Sequence, residues 1–261
     1  IYAISMYFVA TDREVVPTMP VYLWTVWFLY GIWLVLKGRS RAYILLGFLA
    51  GILWNLNLAL AVVVLLVLPA QIFSKTKVGF KHIFLGIILF IVIMSPFFIF
   101  EARHSARQTR AIISSLTTSK NFIPGTGRGL AKLDRVFQLV HKNASSLYWG
   151  QARPVPYSWT FYLLLGLFVF LWIKKIISKD FGLIIFLWLS LYVVFFTVNP
   201  INLSEYYLNG MNVAWIVIMS LGINYLLGKK DSSKRRIAVF ILVLFAGMNI
   251  YGFLNKPINR S

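Results

Sequence analysis

Within one short run, Glu101-Ala102-Arg103-His104-Ser105-Ala106-Arg107-Gln108-Thr109-Arg110, the chain gathers an acid, a histidine and several arginines. Arg103, Arg107 and Arg110 stand at i, i+4 and i+7, the spacing of one helical face. Guanidinium forks match phosphate oxygens, so this face would clamp a lipid phosphate or diphosphate. The plainer reading is a solvated basic face resting on ordinary headgroups. Glu101 and His104, three apart on the same helix, would supply two ligands to a divalent metal; a surface salt bridge from Glu101 to a neighbouring arginine is the competing role. Further ionisable groups border apolar runs: Glu205 precedes Tyr206-Tyr207, and Asp12-Arg13-Glu14 precedes Pro17. The pattern is that of a site at a membrane surface, handling a polar group at headgroup depth.

The elements that must hold such a site are apolar stretches without Asp, Glu, Lys or Arg, at roughly 18–36, 43–54 with 58–73, 83–100, 158–173, 181–198, 206–227 and 237–254. Stretches of about 18 or more apolar residues are candidates to cross a membrane. Hydrophobic residues make up 59% of the chain, too many for a soluble globule. The net charge of +19 would point to nucleic acid in a soluble protein. Here much of it lies in short connections, where anionic lipid and insertion polarity account for it, and no nucleic-acid partner is expected. The clusters Lys37/Arg39/Arg41, Lys75/Lys77/Lys81, Lys174/Lys175/Lys179 and Lys229/Lys230/Lys234/Arg235/Arg236 then fall in the cytoplasm. That assignment makes 42–73 go out and return, with Asn55-Leu56-Asn57 as the polar break at the far end. The expected fold is all-α, a polytopic transmembrane protein forming a single domain over 1–261.

One large extracytoplasmic loop, 101–157, interrupts the pattern, and it is expected to carry interfacial helices. Ala102 to Leu116 reads as a helix leaving the membrane, and 121–129 as a glycine-rich turn. Leu130, Leu133, Phe137 and Val140 follow helical spacing, so this stretch is expected to lie flat on the outer leaflet, flanked by Tyr148 and Trp149. Pro154 and Pro156 end the excursion. Gly125-Thr126-Gly127-Arg128-Gly129 lacks the flanking strand and Lys-Ser/Thr of a phosphate-cradling loop. Asn143-Ala144-Ser145 and Asn202-Leu203-Ser204 are short sequons in loops on the outer side. Asn209, Asn212 and Asn224 read as glue between helices, and Trp24, Trp27 and Trp33 as lipid-facing or interhelical packing. The chain has no cysteine, hence no thiol nucleophile or disulfide framework. The spans carry no ionisable group at their centres, which argues against an ion-coupled transporter. The sequence opens at Ile1 inside an apolar segment, as expected of a fragment lacking an amino-terminal part.

Several ordered motifs resemble integral-membrane glycosyltransferases with the GT-C fold, closest to the protein O-mannosyltransferase and aminoarabinose-transferase family. Leu46-Gly47-Phe48-Leu49-Ala50-Gly51-Ile52-Leu53 resembles that family's double pass. Ser95-Pro96-Phe97-Phe98-Ile99-Phe100-Glu101-Ala102-Arg103-His104 resembles its exit onto the outer surface. Glu205-Tyr206-Tyr207-Leu208-Asn209-Gly210-Met211 resembles its entry to a late span, with Asn209 and Met211 where prolines are usual. Tyr7 to Arg13 sits where the family has a turn after an early span, and Asn55-Leu56-Asn57 stands where relatives often have Thr-Lys. The resemblance implies a donor sugar on a polyprenyl phosphate, a protein, glycan or lipid acceptor, and inverting transfer with a carboxylate as general base. The family's catalytic acid lies in a first outward loop upstream of Ile1, so no catalytic residue is assigned here. By the same implication Arg103 and Arg107 would contact the donor phosphate, Tyr206 or Tyr207 would donate to it, and Glu101 or His104 would hold a metal ion. A bacterial plasma membrane is the default location. The alternatives are a polysaccharide polymerase or ligase using a polyprenyl diphosphate, and a non-enzymatic transporter of lipid-linked saccharides.

Overall fold

The computed structural model describes residues 20–74, 79–117, 129–149, 157–201, 203–228 and 232–255, and every regular element among them is helical. The helices are α1 (Val21–Leu36), α2 (Ala42–Ile52), α3 (Ala61–Val64), α4 (Val67–Phe73), α5 (Phe80–Arg103), α6 (Arg107–Thr117), α7 (Leu130–Trp149), α8 (Tyr157–Ile173), α9 (Lys179–Val198), α10 (Asn209–Leu227) and α11 (Ser232–Asn255). Tighter 3-10 turns occupy Leu53–Asn55, Leu58–Leu60 and Glu205–Leu208. The described part of each apolar stretch lies mostly in these helices and turns. Three segments, Phe80–Arg103, Lys179–Val198 and Tyr206–Leu227, are long and apolar enough to cross a membrane; Val21–Leu36, Ala42–Asn55, Leu58–Phe73 and Trp159–Ile173 are apolar but shorter. The most apolar window of α5 has a mean hydropathy of 2.9, yet only 11% of it is buried. Phe84, Ile87, Ile91, Val92 and Ile99 all face outward. A continuous apolar surface of this kind is untenable in water and suits a hydrocarbon environment.

Some expectations fall outside the described residues: the Tyr7–Arg13 turn with Glu14, Lys75 and Lys77, the loop 121–128, Arg153, Pro154 and Pro156, Asn202, and Lys229 and Lys230. The chain, expected as a single domain, divides into two compact units. One comprises Pro20–Phe137 and Asp180–Gly210, the other the described parts of Gln138–Lys179 and Met211–Ser261.

In the first unit, α2 crosses α5 with backbone against backbone. A Cβ on Gly47 would fall on the carbonyl of Gly86, and a Cβ on Gly86 would fall on the carbonyl of Tyr43. One turn along, a Cβ on Gly51 would come within 2.9 Å of Ile93. Gly47 and Gly51 thus form a small-xxx-small face, which lets helices approach closely where lipid supplies no hydrophobic drive for association. Trp24 of α1 locks onto the same helix by donating from Nε1 to the Leu49 carbonyl at 2.7 Å. It stacks on Phe28 at 4.8 Å, and Phe28 meets Trp188 of α9 edge-on at 6.3 Å. The tryptophans of α1 therefore divide by role: Trp24 is buried packing, whereas Trp27 and Trp33 face outward.

Helix ends and breaks follow local chemistry. α1 stops where Gly38 takes a left-handed backbone (φ 72°) and its N–H meets the Val35 carbonyl, the usual glycine stop. Within α5, Pro96 has no N–H for the Val92 carbonyl. The Ser95 hydroxyl supplies one instead, at 2.8 Å. The expected break at Asn55-Leu56-Asn57 lies between two 3-10 turns, and Asn57 Oδ1 accepts the Ala59 N–H at 3.0 Å.

In the second unit, an asparagine not singled out in the sequence does the gluing. Asn249 of α11 donates to the carbonyls of Tyr148 (2.9 Å) and Phe245 (2.8 Å). The Tyr148 hydroxyl in turn donates to the Trp215 carbonyl at 3.0 Å. Among the expected three, Asn209 and Asn212 are buried and Asn224 is exposed. α7 also corrects an expectation. Its buried face is Lys132, Val136, Leu139, Val140, Asn143, Ala144 and Leu147, while Leu130 is exposed. The helix packs into protein along this face instead of lying on lipid with Leu130, Leu133, Phe137 and Val140. Val140 belongs to both stripes, which is how one set of spacings concealed the other.

Candidate functional site

The helix read as running from Ala102 to Leu116 is broken. α5 ends at Arg103, and the chain turns through His104, Ser105 and Ala106 before α6 starts at Arg107. Ser105 (φ 54°) and Ala106 (φ 56°) both take left-handed backbones, at a cost of about 1–2 kcal/mol each for L residues. Glu101 holds the turn. Its carboxylate accepts the N–H groups of Gln108 (3.1 Å) and Thr109 (2.8 Å), and its carbonyl accepts the Ala106 N–H at 2.8 Å. An anionic acceptor on the first amides of α6 satisfies donors that have no partner within the helix. Replacing Glu101 by Ala should fray that turn by about 1 kcal/mol. The check is hydrogen exchange at the Gln108 and Thr109 amides, which should quicken; unchanged exchange would remove the capping role.

The turn redistributes the candidate residues. Arg103 closes α5, and Arg107 and Arg110 share a face of α6 at i, i+3, so the expected single face of three arginines does not form. All three are exposed. His104 stacks on Phe100 (centroids 4.1 Å) and donates from Nδ1 to the Phe100 carbonyl at 2.8 Å. The expected Glu101–His104 metal pair meets competing duties, since both carboxylate oxygens already accept amides and one imidazole nitrogen is engaged. A divalent ion would have to displace the cap of α6. Among the described residues no group of three or more His, Asp or Glu stands together as a metal site.

Around the carboxyl end of α5 the first unit assembles an aromatic rim. Trp54, in the 3-10 turn before the Asn55–Asn57 break, lies against Phe97 of α5 with ring centroids 4.0 Å apart. Asn57, the last residue of the break, donates from Nδ2 to the Tyr206 carbonyl at 3.3 Å, a link between positions 149 apart in sequence. Tyr206 and Tyr207 touch at 4.2 Å, and Tyr207 stacks on Phe196 of α9. Tyr206 keeps 47% of its surface exposed, and its side chain is hydrogen-bonded to that of Tyr207. Among the described residues no hydrogen bond, ion pair or ring contact joins Tyr206 or Tyr207 to Arg103 or Arg107. The contacts that draw these segments together are Trp54–Phe97 and Asn57–Tyr206, and the arginines take no part in them.

Lys132 is the residue that the sequence hid. It was one of many cations in the 101–157 loop, yet it is 1% exposed. Its ammonium donates to the Asn199 carbonyl at 3.0 Å and to the Ile201 carbonyl. Asn199 directly follows the end of α9, where carbonyls lack intrahelical partners and a cation is favoured. Burial pushes the Lys132 ammonium below the ordinary lysine value. This contact pins the strand of chain that leads into Tyr206-Tyr207.

No family model, no curated protein and no solved structure matches this chain.

Proposed function

We propose that the chain is a multi-pass membrane glycosyltransferase of the GT-C kind, taking a sugar from a polyprenyl-phosphate donor at the outer membrane face. The observation that carries this reading is the Asn57–Tyr206 hydrogen bond. Charge bias alone puts the Asn55–Asn57 break, the exit of α5 and the entry at Glu205–Leu208 on the outer side. The bond requires the first and third of these to share a face, and the Trp54–Phe97 contact ties in the second. In support of the reading, Phe97 near the exit of α5 and Tyr206 at the later entry are each tied to the segment Trp54–Asn57. Arg107 and Arg110 on α6, with Arg103 beside them, supply exposed guanidinium groups at headgroup depth. Such cations would stabilise the negative charge that builds on the leaving phosphate. Tyr206 would bring an aromatic face and a hydroxyl to the donor sugar or its phosphate. The general base is unassigned among these residues, and no step runs through a metal ion. The bacterial plasma membrane is the proposed location, with a protein, glycan or lipid hydroxyl as acceptor.

The test is transfer from a labelled polyprenyl-phosphate sugar by the protein in native membranes. Arg107→Ala with Arg110→Ala should lower kcat/KM for the donor about a hundredfold, the scale of losing a transition-state charge partner, with insertion unchanged. Unaltered donor kinetics would sink the phosphate-clamp role. Turnover confined to polyprenyl-diphosphate donors would favour a polymerase or ligase, and movement of lipid-linked saccharide without transfer would favour a carrier.

A further inference from the structure

A groove of about 550 Å³ lies at the connection between α8 and α9, lined by Trp172, Ile173, Lys175, Ile177, Ser178 and Lys179. One part of its wall is apolar, and Ile173 is 73% exposed. Two ammonium groups stand on its rim, with Lys174 beside them and Asp180 as the neighbouring countercharge. Among the described residues no hydrogen bond or ion pair takes up the ammonium of Lys175 or Lys179.

The backbone adds a second, independent observation. α8 ends in a tight stop in which the Lys175 N–H meets the Trp172 carbonyl and the Ile176 N–H meets the Leu171 carbonyl, both at 3.0 Å. Lys175 occupies the left-handed position of that stop, with φ 53°. Glycine takes this conformation without strain and is the common choice there. A lysine at the strained position, with its ammonium left without a protein partner, calls for a use of the side chain.

We propose that this groove is a binding site for an anionic phospholipid of the inner leaflet. Lys175 and Lys179 would receive the phosphodiester, and the upper acyl chain would lie along Trp172 and Ile173. The amphiphilic lining selects this occupant, because a free phosphate would leave the apolar wall uncovered and a neutral lipid would leave both ammoniums unanswered. Basic pockets on the cytoplasmic side of membrane helices suit such headgroups. The assignment rests on the membrane orientation proposed above and not on the transferase reading, and its test uses no sugar donor.

The full chain, purified in neutral detergent, is titrated with phosphatidylglycerol, with phosphatidylcholine and with inorganic phosphate. Thermal unfolding and native mass spectrometry supply the readouts. Phosphatidylglycerol should be retained and should raise the unfolding temperature; phosphatidylcholine and inorganic phosphate should do neither. Lys175→Gly and Lys179→Gln should each weaken phosphatidylglycerol retention about fivefold. Lys175→Gly should do so while matching or exceeding the parent's stability in neutral detergent, because it relieves the left-handed strain, so a lost response is not a folding failure. Retention unchanged in both variants would overturn the site. So would an equal loss in the control Lys234→Gln/Arg235→Gln, or an equal response to inorganic phosphate. The chain has no native cysteine, so Lys174→Cys reports the side cleanly. Labelling by an impermeant thiol reagent added outside intact cells would overturn the inner-leaflet assignment alone.

Discussion

Gly86→Ala should be among the most damaging single-methyl changes this chain can suffer. The added Cβ would land on the backbone carbonyl of Tyr43, and a methyl on Gly47 would land on the carbonyl of Gly86. A clash with a flexible side chain is relieved by a rotamer change; a clash with backbone requires α2 and α5 to separate. Overpacking of this sort costs about 3 kcal/mol, and here the separation would also open the Gly51–Ile93 contact. Gly47→Ala should cost a similar amount. The double variant should cost little more than either single one, since both act on one crossing. Gly166→Ala is the control, because nothing lies within 4 Å of its would-be Cβ. It should be neutral or gain up to about 1 kcal/mol from helix propensity. Unfolding temperatures of the four proteins in one detergent decide the matter, and equal values for Gly86→Ala and Gly166→Ala would show that the helices are not in backbone contact.

Lys132→Met keeps the length of the side chain and removes the ammonium, so the carbonyls of Asn199 and Ile201 lose their donor. Each buried acceptor left unpaired costs about 1–3 kcal/mol. Relief from holding a buried charge offsets part of this, leaving a net loss of about 2 kcal/mol. The sign of the pH effect follows from the lowered pKa of Lys132. Between that value and the ordinary one, about 10.4, the unfolded chain holds more protons than the folded chain at this site. Stability from this group therefore rises with pH across the interval and falls as pH drops through the lowered pKa. Unfolding followed from neutral to alkaline pH should show that rising contribution in the parent and its absence in Lys132→Met. On the transferase function proposed above, donor turnover should fall as well, because the segment held by Lys132 precedes Tyr206-Tyr207. Full stability and turnover at neutral pH, with an identical pH profile, would reduce Lys132 to a bystander.

Much of the architecture was legible because long apolar runs have few ways to satisfy their backbone outside helices. The break at Asn55-Leu56-Asn57 was legible for the same reason, as two polar amides interrupt a long apolar run. The turn at 104–106 was not. His-Ser-Ala contains neither glycine nor proline, and what creates the turn is a carboxylate reaching seven and eight residues forward to the amides of Gln108 and Thr109. No local propensity encodes a reach of that kind. The buried role of Lys132 was hidden by composition, because a lysine in a basic loop reads as solvated unless carbonyls at the end of a distant helix are known to be waiting. The rim itself was partly visible. Tyr206, Tyr207 and the arginines stood out singly, but Trp54 did not, and the pairing of Asn57 with Tyr206 is purely tertiary.

The short apolar segments of the fold carry a consequence for the surrounding lipid. Ala42–Asn55 and Leu58–Phe73 reach only roughly 20–25 Å at ~1.5 Å per residue, against a hydrocarbon thickness of ~30 Å. α5, at Phe80–Arg103, is long by comparison. Within the first unit, a bilayer holding both the short pair Ala42–Asn55 and Leu58–Phe73 and the long α5 would meet a hydrophobic mismatch that no single lipid length relieves. In such a bilayer the membrane would pinch beside the short pair that meets at Asn55–Asn57, drawing headgroups inward toward Tyr206.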